Sequence, residues 1–227
     1  MLLLSALLLF FAAAVDQSAI LESAYSAHDF DLSADPHSQE WAKAPRVSIG
    51  RDYFGQPIAG PPTEVRSRWT RQNLYLLYIC PYDELNLKPD PNSAAETPRL
   101  WNWDVGEAFI GSDFEHIGRY KELQVSPQSE WVDLDINRDD QKAQEGMKWN
   151  SGYSVKGRID REAKIWYGEM RIPFQAIDPR PPQKGRELRI GLYRIAGVDP
   201  NKKHYAWRPT GRTTFHVPQA FGTLRLR

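Results

Sequence analysis

The 227-residue sequence predicts an all-β fold, an antiparallel β-sandwich of the jelly-roll or immunoglobulin-like kind. Short runs of β-favouring residues recur along the chain, and several of them alternate between apolar and polar positions. Leu188, Ile190 and Leu192, for example, alternate with Arg189 and Gly191. Turn-forming segments rich in Gly and Pro separate the runs. Many short strands with this punctuation are typical of two-layered sandwiches and barrels.

The elements follow from these runs in chain order. Residues 16–27 are expected to form a short helix or a mobile leader, and residues 173–177 a single helical turn after a strand. Strands are predicted at 46–49, 63–69, 74–80, 103–110, 119–125, 130–136, 153–159, 165–172, 188–196, 204–207 and 223–226. No internal repeat or linker divides these strands, so a single domain over residues 28–227 is expected.

The N-terminal segment has the character of a signal peptide. Residues 1–15 carry no charge and consist almost wholly of Leu, Phe and Ala, and the run is short for a membrane span. Ala12-Ala13-Ala14 supplies a small-x-small cleavage site, so residues 1–14 are predicted to be removed, leaving a leader over 15–27 and a secreted or periplasmic protein. Because the run contains no Lys or Arg, an incorrectly assigned start or an uncleaved anchor remains the alternative.

Composition excludes several functional classes. Lys plus Arg and Asp plus Glu both number 29, so the chain lacks the basic surplus of a nucleic-acid-binding protein. Cys80 is the only cysteine, which rules out an internal disulfide, and its apolar surroundings predict a buried thiol. Eight Trp and ten Tyr in a chain of mean hydropathy −0.59 are typical of a binding protein, because these rings combine apolar area with a polar group.

No motif predicts catalysis or a bound metal. The sequence has no Gly-x-Ser-x-Gly motif, and its five histidines lack ligand spacing. The acidic stretch 133–140 fails the EF-hand pattern, because Arg138 replaces the required Gly and Gln144 the required Glu. A structural calcium ion bound in another geometry remains an alternative there. Carboxylates are numerous, but nothing singles out a glycosidase pair, so we expect a protein that is not an enzyme and has no cofactor.

The segment 99–110 carries the strongest functional signal. Period-2 alternation places Trp103, Val105, Glu107 and Phe109 on one face of a predicted strand. A carboxylate among apolar side chains is costly unless something satisfies it. That partner is either a polar ligand or a structural neighbour, for which Arg194 is a candidate.

Aromatic rings and carboxylates are the groups that a sugar site needs. A pyranose presents an apolar C–H face and an edge of hydroxyls, which flat rings and planar polar groups recognise. Trp101 follows Thr97-Pro98-Arg99 in a predicted loop, which favours exposure. The tryptophans expected to be buried are Trp41, Trp69, Trp131, Trp149 and Trp166.

An ordered set of markers over residues 28–227 resembles carbohydrate-binding module family 9. The markers are Trp41, Trp69 before Asn73-Leu74-Tyr75-Leu76, Trp101-x-x-Asp104-x-x-Glu107-x-Phe109-Ile110, Tyr153-Ser154-Val155, Glu169-Met170-Arg171-Ile172-Pro173-Phe174, Trp207-Arg208-Pro209 and the segment 215–226. The resemblance implies a β-sandwich that binds carbohydrate without cleaving it, here as a stand-alone secreted domain beside polysaccharide-degrading enzymes. We expect a monomer.

The resemblance also implies the carbohydrate-binding residues. The two rings that clamp the sugar correspond to Trp101 and to Phe215, where the family's xylanase-linked members carry Trp, and the hydroxyl-binding carboxylate corresponds to Glu107. We add Arg194, because it continues the face of Leu188, Ile190 and Leu192 and points into a polar site or lies at a bulge. Six residues of straight strand span about 20 Å, so Trp101 must curl back to share a ligand with Glu107.

Two other functions remain open. Haem-binding relatives of the same architecture hold iron with Met and His side chains, and Met147 or Met170 with His116, His204 or His216 could supply them. The third interpretation is an envelope domain with a structural or interaction role and no small ligand.

Overall fold

The computed structural model describes residues 19–140 and 149–227. The predicted signal peptide over residues 1–14, the first part of the leader, Gln144 and Met147 all lie outside the described residues.

Within these described ranges the fold has twelve strands, one short α-helix and two 3₁₀ turns, Leu100–Asn102 and Pro218–Ala220. The strands are β1 (Ile20–Tyr25), β2 (Arg46–Ile49), β3 (Thr63–Trp69), β4 (Asn73–Pro81), β5 (Val105–Gly111), β6 (Arg119–Val125), β7 (Trp131–Asn137), β8 (Ser154–Asp160), β9 (Ile165–Pro173), β10 (Glu187–Ala196), β11 (Lys203–Ala206) and β12 (Gly222–Leu226), and the helix is α1 (Phe174–Ile177). All the predicted strands are present within two residues at each end. The prediction of a helix or mobile leader over residues 16–27 is wrong, since Ile20–Tyr25 form strand β1. The sequence shows little sign of this strand, because it is short and contains only one β-branched residue.

The strands form one mixed, nearly closed sheet in the order β7-β6-β5-β10-β12-β1-β3-β4-β9-β8. Strand β11 pairs with β10, and β2 pairs with β3. The all-β prediction is confirmed. The prediction of a purely antiparallel sheet is wrong, because β1 runs parallel to both β12 and β3. Parallel partners need long connections, and β12 comes at the other end of the chain, so local patterns do not predict this pairing.

The main core joins the two halves of the sheet. Leu76 and Trp166 from β4 and β9 belong to the same buried cluster as Ala108 and Leu192 from β5 and β10. Cys80 also lies in this cluster as a free, fully buried thiol. Burying these apolar surfaces supplies the main driving force for the arrangement.

Strand β5 lies close against β4. A Cβ atom at Gly106 would come within 2.9 Å of the Tyr78 ring, so only glycine fits there without a shift. The Tyr78 hydroxyl donates a hydrogen bond to the Glu107 carbonyl oxygen at 2.6 Å. This contact fixes the backbone at the residue that the sequence singled out.

A second apolar cluster covers the opposite face of β5 and β10. It includes Val105, Phe109, Tyr120, Tyr193 and Phe215. Since side chains alternate along a strand, Glu107 shares this face with Phe109, while Ala108 points into the main core. The candidate site is built on this aromatic face.

Three of the five tryptophans expected to be buried are so: Trp41, Trp69 and Trp166. Trp131 and Trp149 are only half-buried. Over the described ranges, no helix has the length and apolar character needed to cross a membrane.

Candidate functional site

A pocket of about 320 Å³ opens beside β5 and brings together three of the four predicted site residues. Trp101, Glu107 and Phe215 all line it, with Glu122 and Lys202 beside them. The pocket therefore combines aromatic surface with buried carboxyl groups.

Trp101 reaches the pocket through a tight turn. Residues Leu100–Asn102 form one turn of 3₁₀ helix, which begins after Arg99 in a left-handed conformation with φ of 59°. Leu100 is fully buried and anchors the turn, whereas Trp101 is half-buried. The Lys202 ammonium donates hydrogen bonds to the carbonyl oxygens of Trp101 and Asn102 at 3.3 and 3.2 Å. The turn brings Trp101 to the same pocket as Glu107.

Glu107 stands in a row of three buried polar side chains. It is 2% exposed and lies directly opposite Gln124 of β6. The Gln124 Nε2 donates to Glu107 Oε1 at 2.9 Å and to Glu122 Oε1 at 2.6 Å. One side-chain amide thus bridges two carboxyl groups.

Sequence reasoning missed Glu122 and Gln124. A weak signal was present, since Tyr120, Glu122 and Gln124 alternate with Leu123 and Val125 along β6. Only the register of β6 against β5 shows that these polar groups meet Glu107. That register is a non-local property of the fold.

Several buried polar atoms of this row have no hydrogen-bond partner among the described residues. They are Glu107 Oε2, Glu122 Oε2 and Gln124 Oε1, together with the Tyr193 hydroxyl nearby. Buried polar groups are nearly always hydrogen-bonded, and leaving one unpaired costs about 1–3 kcal/mol. Of these residues, Glu107 and Glu122 line the pocket, so its wall offers two unpaired carboxyl oxygens to the hydroxyl groups of a ligand.

Burial keeps the two carboxyl groups partly protonated. Desolvation, reinforced by the Glu122 charge, raises the pKa of Glu107 well above its usual range, while Lys202 opposes the shift. Desolvation also raises the pKa of Glu122 to about 7, against the hydrogen bond from Gln124. Two adjacent buried carboxyls cannot both ionise easily, so the pair retains a proton near neutral pH.

His216 completes the polar wall as a neutral imidazole. Burial, with a smaller effect of Arg138, lowers the pKa of His216 to about 4. Its Nε2 lies 3.8 Å from Glu122 Oε2, and its Nδ1 shares a hydrogen bond of 2.7 Å with the Tyr120 hydroxyl. At neutral pH this contact is therefore polar rather than an ion pair.

Phe215 has little free ring surface. It is 6% exposed and stacks on Tyr193 with ring centroids 4.2 Å apart. Tyr53 packs against it with a centroid distance of 4.8 Å, and Tyr53 in turn stacks on His204. Among the lining aromatics, half-buried Trp101 and Tyr53 retain more accessible surface than Phe215.

The structure does not bring Arg194 into this pocket. Arg194 pairs with Gly106 across the sheet, whereas Glu107 pairs with Tyr193, so the two side chains point to opposite faces. The Arg194 Nη1 donates to Thr63 Oγ1 at 2.9 Å, and its guanidinium lies 5.2 Å from the Tyr205 ring centroid. The Glu107–Arg194 pair, offered above as the structural alternative to a ligand, does not form, because strand alternation places the two side chains on opposite faces.

The residues proposed for metal or haem are dispersed. Met170 is fully buried in the main core, and Met147 lies outside the described residues. Asp133 accepts a hydrogen bond from the Ser151 backbone amide at 2.6 Å. Within residues 19–140 and 149–227, no group of three or more His, Cys, Asp or Glu side chains is arranged to hold a metal ion. A structural calcium ion at 133–140 stays an untested alternative.

The fold of this chain is similar to that of solved structures described as carbohydrate-binding. The chain is similar to a candidate carbohydrate-binding protein from Bacteroides uniformis, with 16% identity over 92% of this chain and 99% of that one and a TM-score of 0.68. A carbohydrate-binding module of family 9 from Caldicellulosiruptor kristjanssonii in complex with glucose is also similar, with 15% identity over 92% of this chain and 95% of that one and a TM-score of 0.61.

The complex of that module with cellotriose gives the same identity and TM-score over 92% of this chain and 93% of that one. No family model and no curated protein sequence matches the chain significantly. The fold is therefore like that of family 9 carbohydrate-binding modules.

Proposed function

We propose that this protein binds carbohydrate in the pocket formed by Trp101, Glu107 and Glu122. The observation that carries the proposal is the pair of buried carboxyl groups, each with an oxygen that has no hydrogen-bond partner among the described residues, in a pocket that half-buried Trp101 also lines. The likeness in fold to modules crystallised with glucose and cellotriose supports it.

Each part of the pocket has a role in this proposal. Trp101 provides a flat surface for the C–H face of a sugar ring, and Tyr53, which packs on Phe215, adds a second aromatic surface to the lining. Glu107 and Glu122 bind hydroxyl groups, and the Gln124 amide holds the two carboxyl groups in place. A volume of 320 Å³ lies near the lower end of the range for small-molecule sites, which favours one or two sugar units over an extended chain.

We further propose that the two halves of the sheet pack as a sandwich and that the domain binds sugar without cleaving it. Glu107 and Glu122 are the carboxyls that any hydrolysis in this pocket would use, and both retain raised pKa values without a ligand. The expected result is that incubation with oligosaccharides releases no new reducing ends. A Glu122-dependent release would instead make the protein a glycosidase.

We propose that the protein is exported and acts as a monomer, in support of polysaccharide breakdown outside the cytoplasm. The uncharged apolar run and the Ala12-Ala13-Ala14 site support export.

A glycan array probed with the processed protein tests the proposed function. We expect binding to a defined set of neutral oligosaccharides, and its loss in the Trp101→Ala variant. Phe114→Ala is the matched control, because this ring is 53% exposed and does not line the pocket. An absorbance scan separates the haem alternative, since a Soret band after supplying haem would favour that function.

A further inference from the structure

A second pocket, of about 520 Å³, lies on the other face of β10 at one end of the main core. Arg194 lines it, together with Tyr82, Tyr205, Lys164 and Lys203. Because Arg194 and Glu107 point to opposite faces of the sheet, this pocket is separate from the proposed sugar site.

Arg194 is a buried cation with little compensation. Its side chain follows Leu188, Ile190 and Leu192 along the core-facing side of β10, and the residue is 1% exposed. The guanidinium makes one hydrogen bond, to Thr63 Oγ1, and its Nε has no acceptor in the part of the chain that the structure describes. The guanidinium carbon lies 5.8 Å from the Trp166 ring centroid and 5.2 Å from that of Tyr205.

No carboxylate of the described residues lies within ion-pair distance of Arg194. Asp104 interacts with Arg194 electrostatically: burial raises the pKa of Asp104 to about 6, and the Arg194 charge opposes that rise. Asp104 Oδ1 accepts a hydrogen bond from the Gly197 backbone amide at 2.7 Å instead. Asp104 therefore acts on Arg194 only through space, without a hydrogen bond or an ion pair to the guanidinium among the described residues.

The rim of the pocket adds charges of both signs. Lys164 and Lys203 contribute positive charge, and Asp83 and Glu84 contribute negative charge. Lys203 Nζ lies 3.3 Å from Asp83 Oδ2, but the Asp83 side chain is 91% exposed, so this contact is weak. Counting Arg194, the lining carries a surplus of one positive charge.

A buried charge without a partner is costly, and an oxyanion removes the cost most directly. The guanidinium is a planar fork of donors that matches a carboxylate, and the Nε edge of Arg194 is unused. Tyr82 and Tyr205 offer hydroxyl groups and ring surface to the rest of a small ligand. We propose that this second pocket binds a small organic carboxylate of about sugar-acid size, with Arg194 receiving the carboxylate group.

The test is calorimetric titration of the processed protein with glucuronate, with glucose as the neutral compound of matching ring size. We expect glucuronate to bind with a heat that weakens as salt is added. Arg194→Gln should weaken binding about tenfold or more, since it removes a buried charge-assisted contact. The Trp101→Ala variant should bind glucuronate as the parent does, which separates this site from the proposed sugar pocket.

If Arg194→Gln does not fold, substitutions of the charged residues Lys203 and Asp83 at the rim still test the proposal. Lys203→Gln should weaken glucuronate binding a few-fold, and Asp83→Asn should strengthen it, because each changes the charge at the mouth without altering the core. The proposal would be overturned if glucuronate did not bind, or if the Trp101→Ala variant bound glucose as well as glucuronate. It would also be overturned if the protein preferred inorganic phosphate to glucuronate, or if neither rim variant changed glucuronate binding.

Discussion

Glu107 and Gln124 lie directly opposite each other on β5 and β6, and the Gln124 side-chain amide donates to Glu107 Oε1 at 2.9 Å. Because the same amide donates to Glu122, it holds two carboxyl groups together on the aromatic face of the sheet. Their remaining oxygens have no hydrogen-bond partner in the described chain. The hydrogen bond from Gln124 orients the Glu107 carboxyl group and leaves its Oε2 available to a ligand.

Replacing Trp101 with Ala should weaken sugar binding strongly and leave the fold intact. The side chain is half-buried at the edge of the second apolar cluster, while the adjacent Leu100 anchors the turn. Loss of an aromatic anchor costs about 1–3 kcal/mol or more of binding free energy. Titration reports the binding and thermal unfolding reports the fold. A melting temperature far below that of Phe114→Ala would show that Trp101 is mainly a core residue.

Glu107→Gln should give a stable protein that binds sugar much more weakly. The structure shows no ion pair between Glu107 and Arg194, so the substitution leaves no cation stranded. An amide offers the ligand one acceptor oxygen and one donor nitrogen in place of two oxygens. Glu115→Gln, at an exposed position outside the pocket, is the matched control. Unchanged affinity in Glu107→Gln would remove this residue from the site.

Stability without ligand should depend on the Glu107–Glu122 pair. Because the folded pKa of Glu122 is about 7, against an unfolded value of 4.5, the folded state binds more protons across that interval. The contribution of this group to the free energy of unfolding is therefore largest below pH 4.5 and falls as pH rises to 7.

His216 acts in the opposite direction, since its folded pKa of about 4 lies below the unfolded 6.5, and its contribution rises with pH between those values. Denaturant unfolding at a series of pH values checks the carboxyl effect. Glu122→Gln should show a smaller loss of stability than the parent between pH 6 and 7.5, a range above most of the histidine titration. Parallel pH profiles for the two proteins would disprove the pair's role.

Gly106→Ala should destabilise the fold by about 1–3 kcal/mol, the usual cost of overpacking a core. The added Cβ would meet the fully buried Tyr78 ring at 2.9 Å, and the ring is held by its hydrogen bond to the Glu107 carbonyl. Thermal or denaturant unfolding measures the loss. A variant as stable as the parent would mean that β4 and β5 separate easily.

Export should remove residues 1–14, so that protein isolated from its native host begins at or near Val15. N-terminal sequencing decides this. Intact Met1 in cytosolic protein would contradict the prediction.

Sequence patterns predicted most strands because alternation and turn residues are local signals. They missed β1, whose pairing with β12 and β3 depends on distant parts of the chain. The carboxylate of Glu107 was recognisable as an anomaly in its strand, but Gln124 and Glu122 become its neighbours only through the β5–β6 register.

Arg194 illustrates the same limit. The sequence correctly placed it on the face of Leu188, Ile190 and Leu192, which points into the main core. Arg194 pairs with Gly106 of β5, so these two residues share the core-facing side of the sheet. Glu107, the next residue of β5, points to the other side, away from Arg194. Alternation within a strand is local, whereas the matching of faces between strands is a property of the whole fold.

The central claim is that the unpaired oxygens beside Trp101 bind carbohydrate. Calorimetric titration of the processed protein with glucose-, xylose- and galactose-type oligosaccharides tests it most directly. We predict saturable binding of at least one of these series with one site per chain, abolished in Trp101→Ala and retained in Phe114→Ala. Absence of binding to all three series, or equal binding by both variants, would contradict the claim.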